Sequence, residues 1–410
     1  MVTKERITNF IEEISRFTSS TDGVTRFSFT KEDMGARAYI KNIMMQIGLQ
    51  VSEDGAGTIV GRLEGKNRGL PVIMLGSHFD SVGHGGKYDG VAGIATALEA
   101  VRAIREEGFV NDYPIEVVAM TEEEGIRFGV GLFGSKAMVG IDGREVLYQR
   151  KDKDGITMAE AMRSCGFDPE KFESAKRKEG SIKAFLELHI EQSIQLEEKR
   201  KDIGIVYAVA GNRHLKVKME GSADHAGGTP MNMRKDACVA AAEAIVGIRE
   251  YVSGLTPENV ATVGKLELYP NVRNVIAKTA SFMIDNRSTD SGKLDSTTGK
   301  LKEIVTKAAR NHDCKVTIEE LKKVNPVIFD ERIRTIIRQE ADRLGYSYMD
   351  INSGAGHDAM LMATIAPAAM IFIPCRNGKS HCPEEYSAPE QLYKGACVLY
   401  ETLQRLSVEE

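Results

Sequence analysis

"PVIMLGSHFDSVGHGGKYDGVAGIATALEAVRAIREEGFVNDYPIEVVAMT", residues 71–121, is the stretch that decides the fold. Its apolar segments predict strands at 70–78, which begins one residue before the quoted stretch, and at 113–121, and residues 90–108 between them predict a helix. Two strands joined through a helix indicate a largely parallel sheet with helices on both faces. Further strands are predicted at 58–65, 184–192 and 368–374. We therefore predict an α/β fold with a mostly parallel sheet.

The pattern changes between residues 211 and 325. There the sequence predicts, in order, a strand at 214–221, a helix at 231–252, strands at 261–270 and 274–288, a helix at 292–312 and a strand at 314–322. This βαββαβ order forms a four-stranded sheet with two helices on one face. We predict a ferredoxin-like α+β domain at 211–325, inserted into a larger domain made of 1–210 and 326–410.

Composition narrows the function. The 410 residues carry a net charge of -5 and no Trp, which argues against an electrostatic nucleic-acid surface. No apolar run approaches the length of a membrane helix, and the charged N-terminus lacks a signal-peptide core, so we expect a cytoplasmic protein with no membrane partner. The six cysteines form no CxxC pair, so any metal would be held by His and carboxylate side chains.

Polar residues cluster where the predicted strands end, the edge at which open α/β sheets bind ligands. His78 and Asp80 follow the first strand, Asp89 precedes the helix, and Glu122, Glu123 and Glu124 end the next strand. Each group has a structural alternative. His78 and Asp80 could form a hydrogen bond that closes the strand, Asp89 could cap the helix, and the three glutamates could form a solvated turn. An Asp beside a ligating His can also fix the tautomer of that His.

Two more histidines lie beside predicted strands. The motif "ELHIEQ" is predicted to place Glu187, His189 and Glu191 on one strand face and Gln192 on the other, and His381 follows the strand "MIFIP". A lone His is more often structural. Together, however, the three histidines with Asp89 and Glu124 match the ligands of a two-metal hydrolytic centre. A non-catalytic metal-binding protein would share these ligands, but it would not need Glu123 as a base.

Eight motifs resemble one family in content and order. They are "GSHFDSV", "GGKYDGVAG", "TEEEGIRF", "LELHIEQ", "ADHAGGTPMNMRKDA", "NVIAKTASFMIDNRS", "SGAGHDAM" and "MIFIPCRNGKSHCPEEY". The chain resembles the hydantoinase/carbamoylase-type amidases, a branch of the dinuclear aminoacylase and glutamate-carboxypeptidase superfamily. The resemblance covers nearly the whole chain.

The resemblance implies roles for individual residues. One metal would be held by His78, Asp89 and His189, and the other by Asp89, Glu124 and His381. Asp80 would orient His78, Glu123 would be the general base, and no part is assigned to Glu122.

The inserted domain would be a lid through which two subunits pair. From it His225 would reach across the dimer to polarise the scissile carbonyl. The remaining substrate contacts implied are Gln192, His214, Asn274, Arg287, Gly356 and His357, with Arg287 clamping a carboxylate. A salt bridge from Arg287 to Asp285 is the structural alternative.

The expected reaction is hydrolysis of a ureido or carbamoyl group on a small carboxylate, with release of ammonia and carbon dioxide. Motif details favour allantoate over N-carbamoyl-L-amino acids or a β-ureido acid, and an aminoacylase or dipeptidase is a more distant alternative. Two divalent ions per subunit are expected, and zinc, manganese, cobalt and nickel all suit the ligands.

Overall fold

The computed structural model describes residues 1–408 and divides into two compact units. The first contains Met1–Tyr207, Phe329–Ile351 and the described residues from His357 onward, and the second contains Ala208–Ile328 and Asn352–Gly356. The predicted insertion, 211–325, did not include Asn352–Gly356. Among the described residues, no helix is long and apolar enough to cross a membrane.

The strands of the first unit, numbered along the chain, form one mixed sheet. They are β1 Gln50–Glu53, β2 Ile59–Leu63, β3 Val72–His78, β4 Ile115–Met120, β5 Ile182–Ile190, β6 Ile203–Val209, β12 Tyr348–Ser353 and β13 Ala368–Ile373. Their order is β1-β2-β4-β3-β5-β13-β6, with β12 also pairing with β6. The strands β4, β3, β5 and β13 run parallel to one another, while β1, β2 and β6 pair antiparallel with their neighbours.

The described residues of this unit form ten α-helices, of which several pack on the sheet. They are α1 Lys4–Ser15, α2 Lys31–Ile47, α3 Val91–Glu106, α4 Phe133–Val139, α5 Arg144–Gln149, α6 Met158–Ser164, α7 Gln195–Glu198, α10 Glu331–Arg343, α11 Asp358–Met362 and α12 Pro389–Leu406. Every residue of β3 and β4 is buried, as expected for central strands covered on both faces. α3 packs against β3 and α12, and most of its residues are buried. The predicted α/β class is confirmed.

The second unit has its own antiparallel sheet and core. The strands of this sheet are β7 Gly211–Glu220, β8 Val260–Tyr269, β9 Thr279–Ser288 and β10 Lys315–Val324, and the helices of the unit are α8 Ala237–Ser253 and α9 Ser291–Asn311. The short β11 Val327–Ile328 pairs instead with the end of β6. The sheet order is β10-β7-β9-β8. Leu215, Val217, Phe282 and Ile284 face the two helices. The predicted βαββαβ order is confirmed.

Three boundaries differ from the sequence predictions. α8 begins at Ala237 and not at 231, because the Asp236 side chain accepts hydrogen bonds from the first backbone N–H groups and caps the helix there. β9 begins at Thr279, since Val275 upstream forms only an isolated bridge with His225. β5 ends at Ile190, so Glu191 does not continue the strand face that His189 occupies.

Candidate metal centre

Two of the predicted histidines are placed by neighbouring parallel strands. His78 is the last residue of β3 and His189 is the last but one of β5. Asp89 lies in the turn before α3, and its Oδ1 is 3.3 Å from His78 Nε2 and 3.1 Å from His189 Nε2. All three residues are buried. Their polar atoms are therefore held together by the sheet and by the start of α3.

The second oxygen of Asp89 faces a different set of groups. Asp89 Oδ2 is 3.1 Å from His381 Nε2, and that nitrogen is 3.3 Å from Glu124 Oε1. Two sets of three side chains, one with His78 and His189 and one with Glu124 and His381, therefore share Asp89, and each could hold a metal ion. Imidazole and carboxylate donors suit borderline divalent cations such as zinc and manganese. The residues present thus fit two metal ions bridged by one carboxylate.

Gly90 allows the approach of Asp89 to the histidines. It has φ +66°, and a Cβ added there would lie 2.6 Å from His78 Nδ1 and 2.5 Å from the His78 carbonyl oxygen. Its N–H also lies 3.1 Å from His189 Nε2. Only glycine fits this conformation and this spacing.

Asp80 joins the ends of two strands. Its Oδ1 accepts a hydrogen bond from the Glu123 N–H at 3.0 Å, and its Oδ2 accepts one from the Glu124 N–H at 3.1 Å. The Nδ1 of His78 is 3.2 Å from the Asp80 backbone oxygen and 3.6 Å from the carboxylate. Asp80 therefore contacts His78 chiefly through its backbone, while its side chain fixes the peptide that carries the two glutamates.

The three consecutive glutamates point in different directions. Glu124 faces His381, and Glu123 Oε2 lies 3.8 Å from His78 Nε2. Glu122 has φ +53° and is buried away from both metal-ligand sets, and its Oε1 has no hydrogen-bond partner.

Burial and like charges disturb the pKa values of these groups. Burial raises the pKa of Glu123 well above its usual range, although His78 opposes the shift. Burial and the negative Asp89 raise the pKa of Glu124 to about 7, and burial with Asp80 raises the pKa of Glu122 to about 8. Burial alone would raise the pKa of Asp89 too, but the contacts with His189, His381 and His78 hold it well below its usual range. The cluster thus has more carboxylates than its imidazoles neutralise.

Gln192 and Ser380 complete the surroundings of Asp89. Gln192 Nε2 donates to Asp89 Oδ2 at 2.7 Å, and Ser380 Oγ lies 2.8 Å from the same oxygen. Gln192 follows β5 and has φ +55°. The Glu191 carboxylate accepts hydrogen bonds from the Gln195 and Leu196 N–H groups and thereby stabilises this turn. The sequence prediction used His381 of "GKSHCPEEY" and missed Ser380, which lies next to it.

His357 lies beside His189, with ring centroids 4.6 Å apart. Burial and the neighbouring His189 hold the pKa of His357 well below its usual range, so its imidazole is neutral. Below them, Glu187 accepts hydrogen bonds from Ser77 Oγ at 2.7 Å and from the Ala359 N–H at 2.8 Å. Glu187 thus ties the residue before His78 to the start of α11.

Arg287 and His214 lie in the second unit beside a cavity of about 560 Å³. Arg287 forms an ion pair with Asp285 at 2.8 Å and donates to the Gly354 backbone oxygen at 2.6 Å, so the structural alternative for this Arg occurs. His214 Nε2 is 3.5 Å from Asp285 Oδ1 and has no hydrogen-bond partner among the described residues. Gly356 belongs to the same unit.

His225 is exposed in the loop after β7. Its Nδ1 accepts backbone hydrogen bonds from Gly227 at 3.2 Å and Gly228 at 3.0 Å. A neutral imidazole that accepts at Nδ1 carries its proton on Nε2, so this ring presents an N–H donor. The Asn274 backbone oxygen accepts from the Ala226 N–H, which places Asn274 beside the same loop.

Comparison with known proteins gives one consistent result. Residues 74–405 match the family model for peptidase family M20/M25/M40. The chain is 39% identical to an N-carbamoyl-L-amino acid amidohydrolase of Geobacillus stearothermophilus over the full length of both proteins. It is 36% identical to an allantoate amidohydrolase of Bacillus subtilis, covering 98% of each.

A plant enzyme and a solved structure agree with these matches. A ureidoglycolate hydrolase of Arabidopsis thaliana is 38% identical, covering 98% of this chain and 86% of the plant protein. The crystal structure of a hydantoinase/carbamoylase family amidase from Burkholderia multivorans aligns with a TM-score of 0.93 at 33% identity, covering 100% of this chain and 98% of the other.

Proposed function

The chain belongs to peptidase family M20/M25/M40, among its hydantoinase/carbamoylase amidases, and on that premise we propose that it hydrolyses a ureido group on a small carboxylate. It is a metal-dependent hydrolase of carbon–nitrogen bonds. The proposal rests on one observation above all: the two oxygens of Asp89 face two separate ligand sets.

These two sets supply the proposed metal ligands. His78, Asp89 and His189 would hold one divalent cation, and Asp89, Glu124 and His381 would hold the other. Two bound cations supply Lewis acidity for the scissile carbonyl and lower the pKa of water at the site. The buried and neutral His357 would pack against His189 and fix the plane of its ring.

Glu123 is the proposed general base. It is buried beside His78 without being one of the ligands in either Asp89 set, and its raised pKa suits a group that must both accept and release a proton. It would take the proton of the attacking water and pass it to the leaving nitrogen. Asp80 would set its position through the Glu123 N–H.

Residues of the second unit are proposed to bind the substrate. His225 would donate its Nε2–H to the scissile carbonyl, a role that its hydrogen bonds at Nδ1 support. Arg287 would bind the substrate carboxylate, with Asn274, His214 and Gly356 beside it. Arg287 is paired with Asp285 in the structure. To bind the substrate, Arg287 would contact both carboxylates at once or exchange the carboxylate of Asp285 for that of the substrate.

Allantoate is the proposed substrate, on the resemblance of the motifs that contain Gly356, Arg287 and His381. N-carbamoyl-L-amino acids are the second candidate, because Val260 and Met283 line the cavity beside Arg287 and would suit an aliphatic side chain. Ureidoglycolate is a third member of the same chemical class, through the plant relative.

A substrate panel tests the proposal. Protein stripped of metal and reloaded with manganese or zinc is assayed for ammonia release from allantoate, ureidoglycolate, N-carbamoyl-L-leucine and N-carbamoyl-β-alanine. Amine release from N-acetyl-L-leucine and a dipeptide is followed in parallel. We expect metal-dependent turnover of allantoate above the others. Cleavage of only the acyl or peptide substrates would contradict the assigned chemistry.

A homodimer through the second unit is also proposed. β8 is one of the two edge strands of its sheet and exposes Val260, Leu266 and Tyr269. An edge strand with exposed apolar side chains is usually covered by a partner. Light scattering of the wild type and of a Leu266→Lys variant tests this, and a monomeric wild type would contradict it.

A further inference from the structure

Glu385 joins two loops that are almost 300 residues apart in the chain. Its Oε1 accepts hydrogen bonds from the N–H groups of Tyr88 at 2.8 Å and Asp89 at 3.0 Å. Its Oε2 accepts from Ser380 Oγ at 2.8 Å and from the His381 N–H at 3.3 Å. One buried carboxylate therefore contacts the backbone of Asp89 and of His381, which belong to the same proposed ligand set.

The loop on the Asp89 side is fitted closely to this carboxylate. A Cβ added to Gly86 would lie 2.1 Å from Glu385 Oε1, a distance that no side chain could occupy. Glu385 itself is only 4% exposed. The carboxylate therefore has little room to move away from the Tyr88 and Asp89 N–H groups.

His381 depends on its loop more than the other two histidines do. Its side chain is 48% exposed, against 3% for His78 and 1% for His189. Its backbone has φ +57°, a left-handed conformation that is unfavourable for a residue other than glycine. No strand carries this half-exposed ring, so the backbone contacts of the loop contribute more to its position than they do for His78 or His189.

We propose that Glu385 is a positioning residue that sets the affinity for the cation held by Asp89, Glu124 and His381. This inference rests on the proposed dinuclear site. The set containing His78 and His189 is anchored by β3 and β5, so it depends on Glu385 only through Asp89. Loss of Glu385 is therefore expected to weaken one cation selectively.

Glu385→Gln keeps one oxygen of the carboxylate and replaces the other by an amide NH₂. The amide oxygen can still accept from Tyr88 and Asp89, while the amide NH₂ replaces Oε2 opposite the His381 N–H, and two donors then face each other. Contacts next to metal ligands typically contribute about 10–100-fold to affinity. We expect the cation held by Asp89, Glu124 and His381 to lose affinity by about that factor and the other cation to change little.

The measurement is equilibrium dialysis of stripped protein against Co²⁺, with the metal-to-protein ratio and the visible absorption of bound Co²⁺ as readouts. Wild type should bind two ions per chain, and Glu385→Gln should bind one at a free Co²⁺ concentration that saturates the wild type. Activity of the variant should recover as Co²⁺ is raised, which a general loss of structure would not allow. Glu384→Gln, the same change on an exposed neighbour, is the matched control and should behave as wild type.

The outcomes distinguish failure of the dinuclear site from failure of the role of Glu385. A wild type that binds fewer than two ions would overturn the dinuclear site itself. A wild type with two ions and a Glu385→Gln protein with the same two affinities would overturn only the role of Glu385. If Glu385→Gln fails to fold, Ser380→Ala removes the hydroxyl that lies 2.8 Å from both Glu385 Oε2 and Asp89 Oδ2 and can donate to one of them, and it should shift the same cation in the same direction. Unchanged affinities in Ser380→Ala would count against the proposal.

Discussion

Gly90→Ala tests how closely the bridging loop approaches His78. Gly90 precedes α3 with φ +66°, and Gly108 follows the same helix with φ +67°. A Cβ at Gly90 would lie 2.6 Å from the His78 ring, whereas a Cβ at Gly108 would meet nothing within 4 Å. Gly108→Ala is thus a control that also places alanine at a positive φ but meets no neighbouring atom. At Gly90 the ψ of −48° lies outside the left-handed helical region and adds to the backbone cost.

The expected losses of stability and of activity follow from the backbone conformation and from these distances. Placing alanine at a positive φ costs at least about 1–2 kcal/mol of unfolding free energy at either position. At Gly90 the added atom must also move about 0.8 Å from the His78 ring to reach ordinary van der Waals contact, which begins at 3.4 Å, because it would otherwise lie 2.6 Å away. A metal ligand displaced by that much should reduce metal affinity and turnover by about 10²-fold or more.

The assay compares unfolding in urea, metal content and kcat for both variants. We expect a similar loss of stability in the two stripped proteins, or a greater one in Gly90→Ala, and a loss of bound metal and kcat in Gly90→Ala alone. If Gly90→Ala keeps two ions and a kcat equal to that of Gly108→Ala, the close packing of Gly90 against His78 has no functional role.

Three further outcomes are expected. Glu123→Gln should keep both metal ions and lose about 10²–10⁴-fold in kcat, measured by ammonia release, and full activity would exclude Glu123 as the base. Mixing inactive His225→Ala with inactive Glu123→Gln should restore activity after subunit exchange, and no recovery in confirmed heterodimers would contradict a shared site. Burial raises the pKa of Asp54 to about 6, and its Oδ2 is buried without a hydrogen-bond partner. A carboxyl with a raised folded-state pKa makes the folded state bind more protons, so its contribution to stability falls as pH rises from about 4 to about 6. Asp54→Asn should therefore be more stable than wild type by about 1–3 kcal/mol at pH 7.5 and no more stable at pH 4, by urea unfolding, and an equal difference at both pH values would refute this.

The sequence predicted the sheet and the βαββαβ unit because both depend on local patterns. β3 is continuously apolar and β9 alternates, and each pattern indicates how many of its faces are buried. The strand ends also indicated where His78 and His189 would lie. Helices outside the alternating region, such as α1 and α2, were not predicted, since their apolar faces are recognised only against the helices they pack on.

The finer contacts of the site could not be predicted, because they join residues distant in sequence through backbone groups. Nothing in "SHCPEEY" indicates that Glu385 would accept from Asp89, and nothing in "SHFDS" indicates that Asp80 would hold the Glu123 and Glu124 N–H groups. The pairing of Arg287 with Asp285 was foreseeable, since residues two apart in a strand share a face.

The charges of the site explain why three glutamates end β4. Burial and Asp80 raise the pKa of Glu122, burial raises the pKa of Glu123, and burial and Asp89 raise the pKa of Glu124. A protein that used these groups only for folding would favour a neutral turn, because each buried carboxylate without a cation costs stability. Cations at the Asp89 sets would lower the pKa of nearby carboxylates and turn this cost into binding energy. The same charges that destabilise the stripped protein would then provide its affinity for metal. Asp80 fixes the Glu123–Glu124 peptide whether or not the charges of these two glutamates are neutralised. Its carboxylate accepts hydrogen bonds from their backbone N–H groups, which do not titrate.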